Sequence, residues 1–406
     1  MITLDSLRAL QSEQGTRLLA ELATADLSEK NTLALLTHLR KTWSPEIAAA
    51  ALETARLRTR AGEKFLPSAE KLWLTRDSLE QASHGATAIL RRADFADYAL
   101  VFDLGCGIGA DSMALASNYD LIALDIDPLR LAMAQINTAL VSSRQSIFVQ
   151  ADLRSPLPFS LDTMRNSAAF FDPARRAQGR RLFSVHDYLP PLEVAQSWPF
   201  AALMVKLSPG VDLAELSAYN AGVHFVSVNG ELKEAQLCLG AWAGQQKQAK
   251  VISVDRKTSQ AHGSIALSGL VAQNLEPPPI RPPQGYLYEP DPAVIRTGLF
   301  GELANNLGLE MYRLDETIAY LTADSPVETP LARVWAIEEA MPFNLKKLRA
   351  YMRERHIGRV TVKKRGHAMT PEELIAALRL SGVGEERVVV LTRVLGQPAV
   401  LICRPR

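Results

Sequence analysis

The stretch "VFDLGCGIGADSMALA", Val101–Ala116, passes from an apolar run to three glycines at alternate positions and then to a helix-like pattern. Glycine tolerates backbone conformations that side chains forbid, so Gly105, Gly107 and Gly109 let an apolar strand turn sharply into a helix. The first turn of that helix presents free N–H groups toward whatever lies at the bend. Downstream, "DLIALDID", "QSIFVQAD", "SAAFFDP" and "FAALMVKLSP" are short β-rich runs, the first two separated by the helical "PLRLAMAQINTALVS". Near-continuous apolar strands alternating with helices predict an α/β fold with a parallel sheet covered on both faces.

The acidic residues around the bend narrow the ligand. Asp125 closes the next strand, 20 residues after Gly105, where a carboxylate accepts hydrogen bonds from ribose hydroxyls. A dinucleotide site wants G-x-G-x-x-G, but this chain has G-x-G-x-G with Asp103 two residues before the first glycine. Asp103 would repel a pyrophosphate, whereas it can hold an ammonium group. S-adenosyl-L-methionine carries an ammonium and no phosphate, so the pattern favours it over NAD. Asp152, ending "FVQAD", is placed to accept from an adenine amine, or else is a turn residue. Asp127 either shares the ribose or caps the helix that starts at Pro128. The cofactor-binding set is thus Asp103, Gly105, Cys106, Gly107, Gly109, Asp125, Asp127 and Asp152.

Length and composition frame this core. At 406 residues, 47% hydrophobic and 22% charged, the chain reads as a soluble globular protein of two or three domains. Residues 1–95 carry apolar residues at spacings of three and four, as in "EIAAAALETARLRTRAGEKF", with Ser44-Pro45 and Thr75-Arg76-Asp77 as helix starts. The sheet domain occupies 96–275, its last strands ("VHFVSVNG", "EAQLCLGAW", "AKVISVD") antiparallel. Seven prolines within residues 277–292 predict a stiff connector over 276–292. Residues 293–406 read as a small α+β domain, with Thr370-Pro371-Glu372-Glu373 as a helix start.

Residues 344–406 hold 14 Lys and Arg against 5 Asp and Glu, a net of +9 in a chain whose total is +1. Such an end faces a polyanion, or is simply a solvated basic face. Cys106, Cys238 and Cys403 show no CxxC spacing, which argues against disulfides and a zinc site, and no metal is expected. "MITLDSLRAL" lacks an apolar signal core, and no run approaches the ~20 apolar residues of a membrane span. The expected home is the cytoplasm. Oligomeric state is not legible.

Taken as a set, Asp103 to Gly109, Asp125, Asp152 and Asp172-Pro173 resemble class I S-adenosylmethionine-dependent methyltransferases over residues ~95–240. More narrowly, "RTRAGEKF", "LTRDSLEQAS", "FFDPARR", "VTVKKRG" and "VVVLTRV" resemble a bacterial family that joins a Rossmann-like methyltransferase to a C-terminal THUMP-like domain. The resemblance implies a nucleic-acid substrate, RNA above all, either tRNA or rRNA.

In amine-modifying methyltransferases the fourth strand ends in Asp/Asn-Pro-Pro-aromatic, and the carboxylate or amide with a backbone carbonyl accepts the N–H groups of the target. Here Asp172 and Pro173 match, while Ala174 and Arg175 replace the second proline and the aromatic. A guanidinium can stack on a base or clamp a phosphate, so Arg175 or Arg176 can serve, or brace the loop. Arg180 and Arg181 extend the cluster. Lys206, ending the next strand, either touches substrate or balances Asp172. Glu231 and Glu234, after the Asn229-Gly230 turn, are either catalytic or, as is commoner, exposed turn charges. Lys64-Phe65 and Glu80-Gln81 line the cofactor mouth or pack helices. Lys363, Lys364 and Arg365 suit RNA phosphates.

The expected reaction is methyl transfer to a base nitrogen of structured RNA. The rivals are an RNA-binding protein with a non-catalytic methyltransferase fold, a protein or small-molecule methyltransferase, and, more distantly, an NAD-linked oxidoreductase.

Overall fold

The computed structural model describes every residue except 1, 66–67, 84, 178–179, 183, 245, 256–260, 271–274 and 406; at 63, 64, 68, 176, 177, 180, 181, 261, 262 and 270 it describes the backbone alone. Two compact units emerge, one of residues 2–223, 233–244 and 252–263, the other of 224–232, 245–251 and 264–405.

Unit 1 opens with six helices: α1 (Leu4–Gln11), α2 (Glu13–Ala23), α3 (Thr32–Leu39), α4 (Pro45–Phe65), α5 (Arg76–Gln81) and α6 (Gly85–Arg91). Their starts follow sequence chemistry. Thr3 and Thr75 each form a capping box, and Ser12 accepts from the Gly15 amide. The Rossmann-like part then runs β1 (Leu100–Leu104), α7 (Ala110–Ala116), β2 (Asp120–Asp125), α8 (Pro128–Ala139), β3 (Ser146–Gln150), α9 (Leu161–Arg165) and β4 (Ala168–Phe171). A short ladder, β5 (Arg176–Ala177) and β6 (Arg180–Arg181), precedes β7 (Ala202–Leu207). Strands β8 (Gly222–Val228), β9 (Glu231–Gly240), β10 (Gln246–Val254) and β11 (Ala261–Leu270) follow.

Within unit 1 the strands lie in the order β3-β2-β1-β4-β7-β9, parallel except for antiparallel β9. The chain builds β1, β2 and β3 in one direction and then returns to the other side of β1. The carboxyl ends of β1 and β4 therefore flank the switch point at which open α/β sheets bind ligands. The N-terminal helices pack onto this sheet's own helices, for Leu10, Leu22, Ala51, Leu57 and Leu72 share one buried cluster with Ile108, Met113 and Met133.

Unit 2 contributes β12 (Tyr286–Pro290), α10 (Pro292–Thr297), α11 (Phe300–Leu307), β13 (Tyr312–Arg313), β14 (Leu321–Ala323), β15 (Ala332–Pro342), α12 (Leu345–Glu354), β16 (Ile357–Lys364), α13 (Pro371–Leu378), β17 (Glu385–Val394) and β18 (Gln397–Cys403). Its sheet has the order β13-β14-β12-β15-β18-β17-β16. Leu348 and Met352 of α12 and Leu374 and Leu378 of α13 cover one face through Val389, Leu391, Val400 and Ile402.

The proline-rich stretch differs from the expected connector. Tyr286–Pro290 pairs with both β14 and β15, and the Arg281 and Arg313 amides donate to the Arg313 and Pro279 carbonyls. Prolines confined to 277–283 and 290–292 leave the alternating "YLYE" free to join a ladder.

Candidate active site

The glycine bend is shaped by close approach. Gly105 has φ +80°, and a Cβ there would lie 2.9 Å from the Asp172 carbonyl oxygen. Gly109, φ +83°, would meet the backbone of Ala134 in α8 at 3.0 Å. The first glycine thus lets β1 and β4 close together at their tips, and the third lets α7 settle on α8. The Gly105 and Cys106 amides both donate to the Leu124 carbonyl.

A cavity of about 530 Å³ opens at these tips. Asp103 forms part of its lining, yet the residue is 1% exposed. Ser112 donates to its Oδ2, and its Oδ1 has no partner among the described residues. Burial is the main cause that pushes this carboxyl up to about 7. Asp125 accepts from the Gly107 amide at 2.8 Å and the Asp127 amide at 2.9 Å, which fixes its carboxylate against the cavity. Asp152 lines the cavity too, but Arg154 binds both its oxygens and holds its carboxyl down at about 2.

Two expected cofactor contacts fall elsewhere. Asp127 accepts from the Leu129 and Arg130 amides, capping α8, and does not line the cavity; its spacing satisfies the helix start first. Gly109 is likewise absent from the lining and serves helix packing. Cys106 and Gly107 do line it.

Asp172, Pro173 and Arg175 line the same cavity. The segment beyond them is held by Ala174, whose amide and carbonyl bond those of Leu189. Lys206 Nζ donates to Asp172 Oδ2 at 2.7 Å and to Ser83 Oγ at 2.9 Å. With 3% of the residue exposed, Lys206 balances Asp172 and is not open to substrate, which corrects one of its two readings. Arg175 has no ion-pair partner among the described residues. The side chains of Arg176, Arg180, Arg181 and Lys64 lie outside the described residues.

Glu80 and Gln81 line the cavity, one of their two readings, whereas Ser83, Asp111 and Lys233, which line it too, escaped sequence reasoning. Glu234, read as an exposed turn charge, is buried against Arg91. In unit 2, Lys363 and Arg365 both pair with Glu289, at 2.6 and 3.7 Å; strand alternation puts them on one face and Lys364 on the other. Lys364 is exposed and donates to the Ala368 carbonyl.

The donor and acceptor set fits S-adenosylmethionine. The orphaned Asp103 Oδ1 wants a cationic N–H donor, Asp125 presents a carboxylate for ribose hydroxyls, and the positive φ of Gly107 (+56°), with no atom within 4 Å of a would-be Cβ, leaves room along the bend. Among the described residues no helix is long and apolar enough to cross a membrane, and no three metal-ligating side chains are grouped.

Comparison with known proteins agrees. Residues 332–405 match the family described as THUMP domain-like, and residues 3–61 match one described as a domain of unknown function. The crystal structure of a provisionally assigned methyltransferase from Porphyromonas gingivalis W83 superposes with a TM-score of 0.73 at 22% identity, covering 93% of this chain and 98% of that one. That likeness shows the fold. An uncharacterised S-adenosylmethionine-dependent methyltransferase of Mycobacterium tuberculosis is 30% identical over 368 residues, 87% of this chain and 96% of its own length. Such identity over such a length places the chain: it belongs to the S-adenosylmethionine-dependent methyltransferases, and it carries a THUMP-like domain at its C-terminus.

Proposed function

We propose that the enzyme transfers a methyl group to an amine nitrogen of a base in structured RNA, tRNA or rRNA, in the cytoplasm. When bound, S-adenosylmethionine supplies an electrophilic methyl group on a sulfonium. Asp103 would hold its ammonium, and Asp125 its ribose. One observation carries the choice of acceptor: Asp172 and Pro173 both line the cavity, and Asp172 Oδ1 and the Pro173 carbonyl have no donor among the described residues. Two acceptors on successive residues match the two N–H donors of an amine, whereas a hydroxyl offers one. Accepting both would leave the nitrogen lone pair free to attack along a fixed line, the kind of orientation that lowers a barrier without covalent help.

RNA as the class is supported by charge and by the THUMP-like match. Arg175 at the cavity wall is available to stack on a base or hold a phosphate. Lys346, Lys347 and Arg353 stand exposed on α12 with no ion-pair partner among the described residues, suited to phosphates of a structured RNA; Lys364 can join them, while Lys363 and Arg365 are committed to Glu289. The test is nucleoside mass spectrometry on RNA from cells with and without the gene. A methylated base lost from the deletion strain and restored by the wild-type gene supports the reading; identical nucleoside profiles defeat it.

A further inference from the structure

From Asp172 a line of buried polar side chains runs into the fold, and two of its members, Ser83 and Asp111, also touch the cavity. Lys206 Nζ bridges Asp172 Oδ2 and Ser83 Oγ, and Ser83 Oγ donates to Asp111 Oδ2 at 2.6 Å. Asp111 pairs through its other oxygen with Arg91, whose guanidinium lies 4.1 Å from the Phe170 ring centroid and donates to Glu234 Oε1 at 2.6 Å. Gln236 also donates to Glu234 Oε1, at 2.8 Å. Every member behind Asp172 is at most 6% exposed. The line draws on the α5–α6 connection, α6, α7, β7 and β9.

Burying four charges in this way does not stabilise a fold efficiently, because desolvation costs as much as pairing returns and an apolar core of the same volume does as well or better. What such a network does provide is position. Asp172 lines the cavity together with Ser83 and Asp111, and among the described residues only one of its oxygens is taken.

We propose that Lys206 is a positioning residue for methyl transfer: its ammonium clamps Asp172 Oδ2 so that Oδ1 alone meets the acceptor, and Ser83 with Asp111 clamps Lys206. This rests on the reading of Asp172 as the group that faces the acceptor. Ser83 and Arg91 come from the N-terminal helical segment, which therefore completes the site rather than standing apart from it.

The experiment compares full-length Lys206→Met, Lys206→Arg, Ser83→Ala and Ser83→Thr proteins with wild type. Methyl transfer is measured to total RNA from a strain lacking the gene, and S-adenosylmethionine binding by calorimetry. Lys206→Met is expected to lower kcat about 100-fold, with KM for RNA and cofactor Kd within about twofold of wild type, and Lys206→Arg to recover most of the loss. On an Asp172→Asn background, Lys206→Met should cost under about threefold, because the two side chains act as one unit. Should Lys206→Met not fold, Ser83→Ala carries the test: it removes one hydroxyl and no charge, and is expected to lower kcat about tenfold, with Ser83→Thr restoring it. Unchanged kcat in Lys206→Met, or in Ser83→Ala where it stands in, overturns the proposal. So does a loss expressed wholly in KM or cofactor Kd. If wild type transfers nothing to RNA, the RNA reading fails by itself, and crystal structures then decide the positioning role. A single Asp172 conformer in wild type and several in Lys206→Met uphold it, and one unchanged conformer in both overturns it.

Discussion

Ser112 Oγ donates to Asp103 Oδ2, and no described group reaches the other oxygen, Oδ1. Desolvation raises this carboxyl to about 7, the Asp172 charge adds to the rise, and the Ser112 hydrogen bond opposes it. An ammonium beside Oδ1 favours the ionised form, so cofactor affinity should climb as pH rises toward 7 and level off above it. Binding near pH 6.5 should release a proton, seen in calorimetry as a heat that depends on the buffer. Affinity that stays flat from pH 5.5 to 8.5 contradicts this role for Asp103.

The same carboxyl has the opposite effect on the free protein. A folded-state value above the ordinary 3.8 means that ionisation costs stability progressively between about pH 4 and 7, and the full cost persists above 7. Asp103→Asn removes that cost. Its melting temperature should exceed wild type clearly at pH 8 and by much less at pH 5, at the expense of cofactor binding.

Asn137 is a structural counterpart. Its buried amide donates to the Trp73 and Ile108 carbonyls, both at 2.9 Å, and accepts from the Trp73 amide at 2.8 Å. One side chain thereby ties the N-terminal helical segment to the glycine bend. Asn137→Ala orphans three backbone groups and should cost about 3–5 kcal/mol. A thermal melt that does not move would show that the tie contributes little.

The glycines separate by space. Gly105→Ala drives a methyl group against the Asp172 carbonyl and should abolish cofactor binding, because the tips of β1 and β4 must part. Gly107→Ala, with no atom within 4 Å of its Cβ, incurs only the left-handed backbone strain of about 1–2 kcal/mol. It should fold and bind within about tenfold of wild type. Equal binding by both variants contradicts this distinction.

On unit 2, Lys346→Glu with Lys347→Glu should weaken RNA binding and flatten the dependence of log K on log salt by about 2. Lys363→Ala should leave that slope unchanged, since Lys363 is committed to Glu289. The reverse ranking would return Lys363 to the RNA surface.

These outcomes trace what the chain discloses by itself. The bend at Gly105–Gly109 and the carboxylates of Asp103 and Asp125 were legible because each sits at a fixed offset from a strand end. The start of α13 was legible because its capping residues agree, as at Thr370 and Glu373. Asp127 was ambiguous because one position serves a helix cap and a ribose contact equally well. The line from Lys206 through Ser83, Asp111 and Arg91 to Glu234 was not legible, because its members are joined only by topology. Glu234 follows a turn by a few residues and looks solvated, until β9 takes its place against β7 and that face is buried. The connector misled through composition, since proline content hid the strand-forming Tyr286–Glu289.

The most direct test uses purified protein, radiolabelled S-adenosylmethionine and RNA from a strain lacking the gene. Wild type should transfer label to a base amine, and Asp172→Ala should lose transfer at least about 100-fold while binding the cofactor with unchanged Kd. Transfer by Asp172→Ala at the wild-type rate would contradict the account.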